Sequence, residues 1–174
     1  AAVKQTIDDM VKRNVSLTST LAVMELSSPS RIPLDQRVID VLHPDAAKAI
    51  QGWHANGQKN DDKPRQALLK KAMQFERRFV ASGGLLGAGS DPCCLSAIAG
   101  YADQRNFELL VEAGFTPEQA VQIMTANGAK ILGIDQGVGT IATGKQADLL
   151  VIKGDLSKDP TAIKQITTVF REGA

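Results

Sequence analysis

Aromatic residues make up only 4% of the chain, so its core has to be filled by Leu, Ile, Val, Ala and Met. Histidine and cysteine are scarcer still, at two each. Cys93 and Cys94 are adjacent, which strains a mutual disulfide and excludes the CxxC spacing of a metal or redox motif. They read as small side chains beside Asp91, with Cys93 a candidate for touching a ligand. His43 and His54 fit none of the usual metal-ligand spacings and read as structural or exposed.

Charge of one sign is also lacking, the net being +1 at pH 7. That gives no field to draw nucleic acid or an anionic membrane, and no basic cluster is interleaved with aromatics, so neither partner is expected. No apolar run approaches the roughly 20 residues that cross a bilayer. The first residues read as an amphipathic helix containing Asp8 and Asp9 rather than as a signal peptide. The compartment stays open, the cytoplasm being the default reading.

What is present is ordinary globular material: 174 residues, 43% hydrophobic and 22% charged, enough for one core and a small appendage. The most informative stretch is Gly83-Gly84-Leu85-Leu86-Gly87-Ala88-Gly89-Ser90-Asp91-Pro92. Its short apolar run between glycines has the pattern of a strand buried on both faces. Pro92 cannot donate to a sheet ladder, so it ends the strand. Asp91 then stands where an α/β protein places its ligands, at the C-terminal end of a parallel strand. A helix N-cap or an Asx-turn is the other reading of such an Asp.

Before that stretch, Val3, Ile7, Met10 and Val11 share one helical face and Asn14 ends the helix. Residues 15–20 read as a buried strand. Residues 27–42 read as a long surface loop, and Pro44 opens a helix running to about Asn56. Between Asp62 and Ala81, Leu68, Ala72, Phe75 and Phe79 form the predicted inward stripe, with Lys70, Lys71, Glu76, Arg77 and Arg78 on a solvated face. After it, Phe107, Leu110 and Val111 point inward on a helix closed by Gly114. Thr116-Pro117-Glu118-Gln119 reads as a capping box opening the next helix. This order of helix, strand, helices, strand predicts parallel strands with helical crossovers. From Gly137 onward the pattern changes to four short β segments, 139–141, 143–145, 147–152 and 166–170.

The run VGTIATGKQADLLVIKGD (138–155) closely resembles the C-terminal signature of the amidohydrolase superfamily. LTSTLAV (17–23) resembles the seventh barrel strand of that family, GAGSDP (87–92) the eighth with its metal-site aspartate, and ADQRNFELLVEAGFTPEQAVQIMTANGAKILG (102–133) the helices that follow. The branch it looks most like is imidazolonepropionase-like, with prolidase-type and arginine-carboxypeptidase-type enzymes. The resemblance implies an α/β fold: residues 1–136 as the last two strands and helices of a (β/α)8 TIM-type barrel, and 137–174 as part of a small β-sandwich. It implies hydrolysis of an amide or peptide-like C–N bond by metal-activated water, with one or two divalent ions, usually zinc. Asp91 would be metal ligand and catalytic acid/base. A small or dipeptide-like amide is the implied substrate.

The departures are as specific as the match. The family site also needs a His-x-His pair after strand one, a bridging lysine or carboxylate after strand four and histidines after strands five and six, and none is here. One carboxylate alone does not hold zinc tightly. The alternative is therefore an inert fragment or interaction module with an incomplete metal site, or one chain of a split barrel completed by a second. Arg105 is a candidate for meeting a substrate carboxylate, the commoner reading being a helix-surface salt bridge. Two parallel strands with open edges, and helix faces shaped to be covered, seek a partner. The chain is accordingly expected to elute from size-exclusion chromatography as an oligomer or aggregate; a sharp monomer peak at micromolar concentration would overturn that reading.

Overall fold

The computed structural model describes residues 2–59, 62–92 and 97–174. Helix α1 (Ala2–Lys12) buries Ile7 and leans Met10 and Val11 on the core, while Val3 is exposed rather than inward. It stops at Asn14, whose φ of 53° is left-handed, a conformation Asn tolerates better than most residues. Strand β1 (Leu17–Ser19) follows, then a short helix α2 (Leu21–Glu25). Strand β2 (Leu86–Ala88) pairs with β1 in parallel, with Leu17 opposite Leu86 and Ser19 opposite Ala88. Both strands lie where the sequence puts them, each shorter than read.

Leu86 is fully buried, and β2 is pressed closely by the helical layer behind it. A Cβ on Gly87 would meet Ile131 Cδ1 at 2.7 Å. Glycine lets α8 (Gly128–Leu132) approach the strand that far, and Asn127 Nδ2 donates to Leu86 O at 2.8 Å from the preceding turn. That turn, Ile123–Asn127, is a π-helical bulge continuing α7 (Pro117–Gln122). The capping box opens α7 as predicted: Thr116 Oγ1 accepts from Gln119 N, and Gln119 Oε1 accepts from Thr116 N. Helix α6 (Tyr101–Glu112) buries Phe107, Leu109 and Leu110 completely, with Val111 partly covered.

Three expectations are corrected. Residues 27–42 are not a surface loop. They contain a 3-10 turn, Pro29–Arg31, and helix α3 (Gln36–Asp40), folded against α4 (Pro44–Gly57). Ser30 Oγ donates to Asp62 Oδ2 at 2.7 Å, and a Cβ on Gly57 would fall 2.2 Å from Pro29 Cβ. Polar anchors and a missing side chain thus pin a proline-rich stretch against α4 and Asp62, with Ser28 and Ile39 buried and Leu34 and Val41 left exposed.

On α5 (Lys63–Ala81) the buried stripe is Leu69, Met73, Glu76 and Phe79, while Leu68 is 58% exposed. The helix turns Glu76 inward because Ser19 meets it there, its hydroxyl donating to Glu76 Oε2 at 3.0 Å. Finally, the described β structure after Gly137 is a two-stranded antiparallel ribbon, β3 (Leu149–Ile152) with β4 (Ile166–Phe170). Segments 139–141 and 143–145 are turns wrapped round the Lys145 ammonium, which donates to Asp135 O at 2.6 Å and Thr140 Oγ1 at 2.7 Å. Among the described residues no helix is long and apolar enough to cross a membrane.

Burial pushes the Glu76 carboxyl up to about 7, against the opposing pull of the Ser19 hydrogen bond. An unfolded glutamate titrates near 4.5, so between the two values the folded chain keeps a proton that the unfolded chain has lost. Stability from this group is full below the unfolded value, falls as pH rises through the window and levels above the folded value. Urea titrations of wild type and Glu76→Gln between pH 4 and 8 are expected to diverge by on the order of 3 kcal/mol across that interval. The wild type should lose the stability that the variant keeps, and parallel profiles would refute the assignment.

Candidate functional site

The candidate site is the C-terminal end of the two parallel strands. On the β1 side, Asn106 of α6, itself fully buried, fixes the turn into α2. Its Oδ1 accepts from Ala22 N at 3.1 Å and its Nδ2 donates to Ser19 O at 3.3 Å. On the β2 side, Gly89 N donates to Ser19 O at 3.0 Å, carrying the pairing one residue past the strand. Ser90 is buried and Asp91 emerges exposed.

Asp91 has φ of 43°, a left-handed conformation shared among non-glycine residues only with Asn14 and Glu172 among the described residues. Such backbone is uncommon outside glycine and is found where the surrounding structure imposes it. Asp91 does not cap the next described helix: α6 starts at Tyr101, and Asp103 reaches back to Gly100 N at 2.9 Å. Among the described residues no hydrogen-bond or ion-pair partner engages its carboxylate. Cys93 lies outside the described residues.

Arg105 is where the sequence reading and the structure part most clearly. Its ion pair is not a surface contact. Nε donates to Glu25 Oε2 and one terminal nitrogen to Glu25 Oε1, each at 2.8 Å, and the other terminal nitrogen reaches Glu108 Oε2 at 2.7 Å. Glu25 is only 1% exposed. Burial works to lower the Arg105 pKa, but its bonds to Glu25 and Glu108 outweigh that and raise it. Arg31 completes the cluster, with Nε 3.1 Å from Glu25 Oε1 and a terminal nitrogen 2.6 Å from Glu112 Oε2. Lys164 Nζ lies 2.6 Å from Glu108 Oε1, a charge contact whose angle falls short of a hydrogen bond.

The histidines stand apart from any such cluster. Exposed His43 accepts from Asp45 N at 3.4 Å as the N-cap of α4, and His54 Nε2 lies 2.9 Å from Ile32 O. Because a carbonyl only accepts, that nitrogen of His54 carries the proton.

A carboxylate without a partner among the described residues is a fitting hard-oxygen donor for a divalent cation, but one donor is not a site. No group of three or more His, Cys, Asp or Glu is assembled among the described residues. The residues described do not by themselves make a metal centre.

The groups that build the site, Glu25, Glu76 and Asn106, escape a sequence reading that looks for chemistry. The signal that finds them is a polar residue on an otherwise apolar helical stripe: Asn106 follows Ala102 by one turn beside Phe107, and Glu25 sits inside the apolar run 21–26.

Comparison with known proteins places these features. The sequence profile of the Amidohydrolase family matches residues 7–174. Imidazolonepropionase of Shewanella frigidimarina is 45% identical over 60 residues, 34% of this chain and 13% of that protein. Adenine deaminase 2 of Jannaschia sp. is 32% identical over 62 residues, 36% of this chain and 10% of that one. In fold, the chain is similar to a Xaa-Pro dipeptidase crystallised with methionine in its active site, with TM-score 0.65 and 22% identity over 97% of this chain and 36% of the other. A Bifidobacterium longum protein described as a prolidase gives TM-score 0.57 and 27% identity over 85% of this chain and 33% of the other. The chain thus spans about a third of these solved relatives.

Removing the Glu25 carboxylate leaves two guanidinium groups without their buried partner. Glu25→Ala is expected to lower unfolding free energy by about 3–5 kcal/mol, read as a shift in the urea midpoint. A shift under about 1 kcal/mol would show the cluster to be a solvated pair of the surface kind.

Proposed function

Because the chain belongs to the amidohydrolase family, with imidazolonepropionase-like and prolidase-like relatives, we propose that it is the C-terminal part of a metal-dependent hydrolase. In this reading the whole protein cleaves an amide or peptide-like C–N bond in a small or dipeptide-like substrate. Strands β1 and β2 are the last two of about eight barrel strands, residues 1–136 are barrel, and 137–174 contribute to a composite β-sandwich. The observation that carries the reading is the placement of Asp91: an exposed carboxylate, without a partner among the described residues, one turn of chain beyond a buried parallel strand.

Asp91 is proposed to give one oxygen donor to a divalent ion, zinc being the family's usual choice. Its other part is to take up a proton at a carboxylate oxygen and return it to the leaving nitrogen. The remaining donors would belong to residues other than those described, on the same polypeptide or on a second chain that completes the barrel. Arg105 is assigned to holding α2 against α6 rather than to substrate, since its guanidinium already serves two carboxylates. The second reading, an inert or interaction module, is favoured by one observation, the missing donor cluster. It applies to the chain standing alone.

Two measurements test this. The 174-residue chain alone, with added zinc, is expected to show no hydrolysis of Xaa-Pro dipeptides or N-acyl amino acids and no tight zinc binding by calorimetry. In the complete enzyme, Asp91→Asn is expected to lower kcat by about 10²–10⁴-fold. Metal-dependent turnover by the isolated chain would remove the incomplete-site reading, and an active Asp91→Asn enzyme would remove Asp91 as its acid/base.

A further inference from the structure

A cavity of about 70 Å³ opens beneath the segment that the sequence reads as a loop. Its floor is α2 and the start of α6, and its roof is residues 32–38 with α4. On the β1 side the floor begins just beyond the strand, where Ala22 opens α2, and Ala97 joins it ahead of α6. The cavity is therefore walled by the segment that leaves the C-terminal end of β1, the side on which α/β folds bind their ligands.

Three properties define what fits. The walls are mostly apolar, with Leu26, Ile32, Val38 and Ile50 among them. The volume is about half the roughly 150 Å³ that holds a benzene ring in an engineered protein cavity. A compact branched aliphatic group matches that volume.

The charged groups at the wall are already matched. Glu25 serves Arg31 and Arg105, Asp35 serves Arg37, and Lys164 faces Glu108. A ligand carboxylate or ammonium would find no unmatched charge among these groups, and burying it unpaired is costly. The polar capacity left over is neutral. Trp53 and Tyr101 line the cavity, half-buried, and among the described residues neither the indole N–H nor the phenol hydroxyl has a hydrogen-bond partner. The Tyr101 ring is held by Arg37, whose guanidinium carbon sits 5.3 Å from its centroid. Two amphipathic donors beside an apolar hollow suit a carbonyl next to an aliphatic side chain.

We propose that this cavity binds an uncharged amide through a compact branched aliphatic side chain, its carbonyl accepting from Trp53 or Tyr101. As a description of the substrate, this rests on the amide-hydrolase reading above; as a binding site it stands without turnover.

Trp53 is the one tryptophan of the chain, so its fluorescence reports the cavity directly. Titration of the 174-residue chain with N-acetyl-L-leucinamide is expected to give a saturable change. Binding should be at least about tenfold tighter than for N-acetylglycinamide, from the extra apolar carbons buried. N-acetyl-L-leucine, with its carboxylate, should bind more weakly than the amide. Tyr101→Phe should weaken leucinamide binding about three- to tenfold without changing the melting profile, and Val38→Phe, which fills the hollow, should abolish it. Because the isolated chain is expected to show no hydrolysis, binding measured on it is read apart from turnover, and failure of one leaves the other standing. A cooperatively melting wild-type chain that shows no saturable change, or that binds the glycine and leucine amides equally, overturns the proposal; these two results decide it even if Val38→Phe fails to fold.

Discussion

The buried carboxylate of Glu25 is the constraint on which the arrangement of this chain depends. It leaves water almost completely, at 1% exposure, and such a group is tolerated only with charge and hydrogen bonds closing round it. One partner is near in sequence and one far: Arg31 comes from the segment directly after α2, and Arg105 from α6. Arg31 and Arg105 in turn hold Glu112 and Glu108, and Glu108 draws in Lys164 beside the C-terminal ribbon. One buried charge thus fixes the strand-end helix, the folded 27–42 segment and the approach to β4. A hydrophobic cluster of equal volume would serve stability as well. It would not specify which helix end meets which strand end.

A second polar set acts on the strands themselves. Glu76, Ser19 and Asn106 link α5, β1 and α6 through the hydrogen bonds at the end of β1, while Asn127 does the same for β2 through Leu86 O. Strands of three residues have too few ladder bonds to fix their own position, so side chains from the helical layer do it. The tight Gly87–Ile131 approach works in the same direction. The strand ends are consequently tied from both sides, and Asp91 beyond β2 takes an uncommon left-handed backbone conformation.

How far the sequence shows this follows the kind of signal each part carries. Periodicity and punctuation reveal β1, β2, α1, α4, α6 and the capped α7, because Pro44, Asn14, Gly114 and Thr116 act locally and the apolar repeats on α6 are long. The stripe of α5 is misread by one position, because a period built only from apolar residues cannot anticipate that Ser19, far away in sequence, makes Glu76 an interior group. Residues 27–42 are misread for the same reason: prolines and serines look like a loop until Asp62 and Gly57 supply the partners that fold them in. The turns round Lys145 look like strands, since β-branched residues between glycines fit both. The position of Asp91 at the end of β2 is legible because its signal is positional, a carboxylate after a glycine-bracketed apolar run. Arg105 is legible only as a charge, since its burial is decided by Glu25.

The division of labour among the carboxylates follows from these contacts. Glu25, Glu76 and Asp62 are interior, and each is tied to a cation, a hydroxyl or an amide. A carboxylate tied as Glu25 is, to two guanidinium groups, has its oxygens committed and meets another cation only by breaking a bond that holds α2 to α6. Asp91 stands on the other side of that line, exposed, strained and without a described partner. Catalytic and ligand-binding carboxylates need free oxygens and a fixed position together. The buried polar sets hold the end of β1 and Leu86 of β2, and exposed carboxylate oxygens follow three residues past β2. The ribbon at the other end of the chain has the complementary defect. Leu150, Val169 and Phe170 are apolar yet exposed, and two strands do not make a covered sheet. Charged groups held inside, a carboxylate without a described partner at the strand end and an exposed apolar ribbon near the C-terminus are thus three faces of one arrangement, in which buried polar contacts fix the helices and leave these two surfaces open.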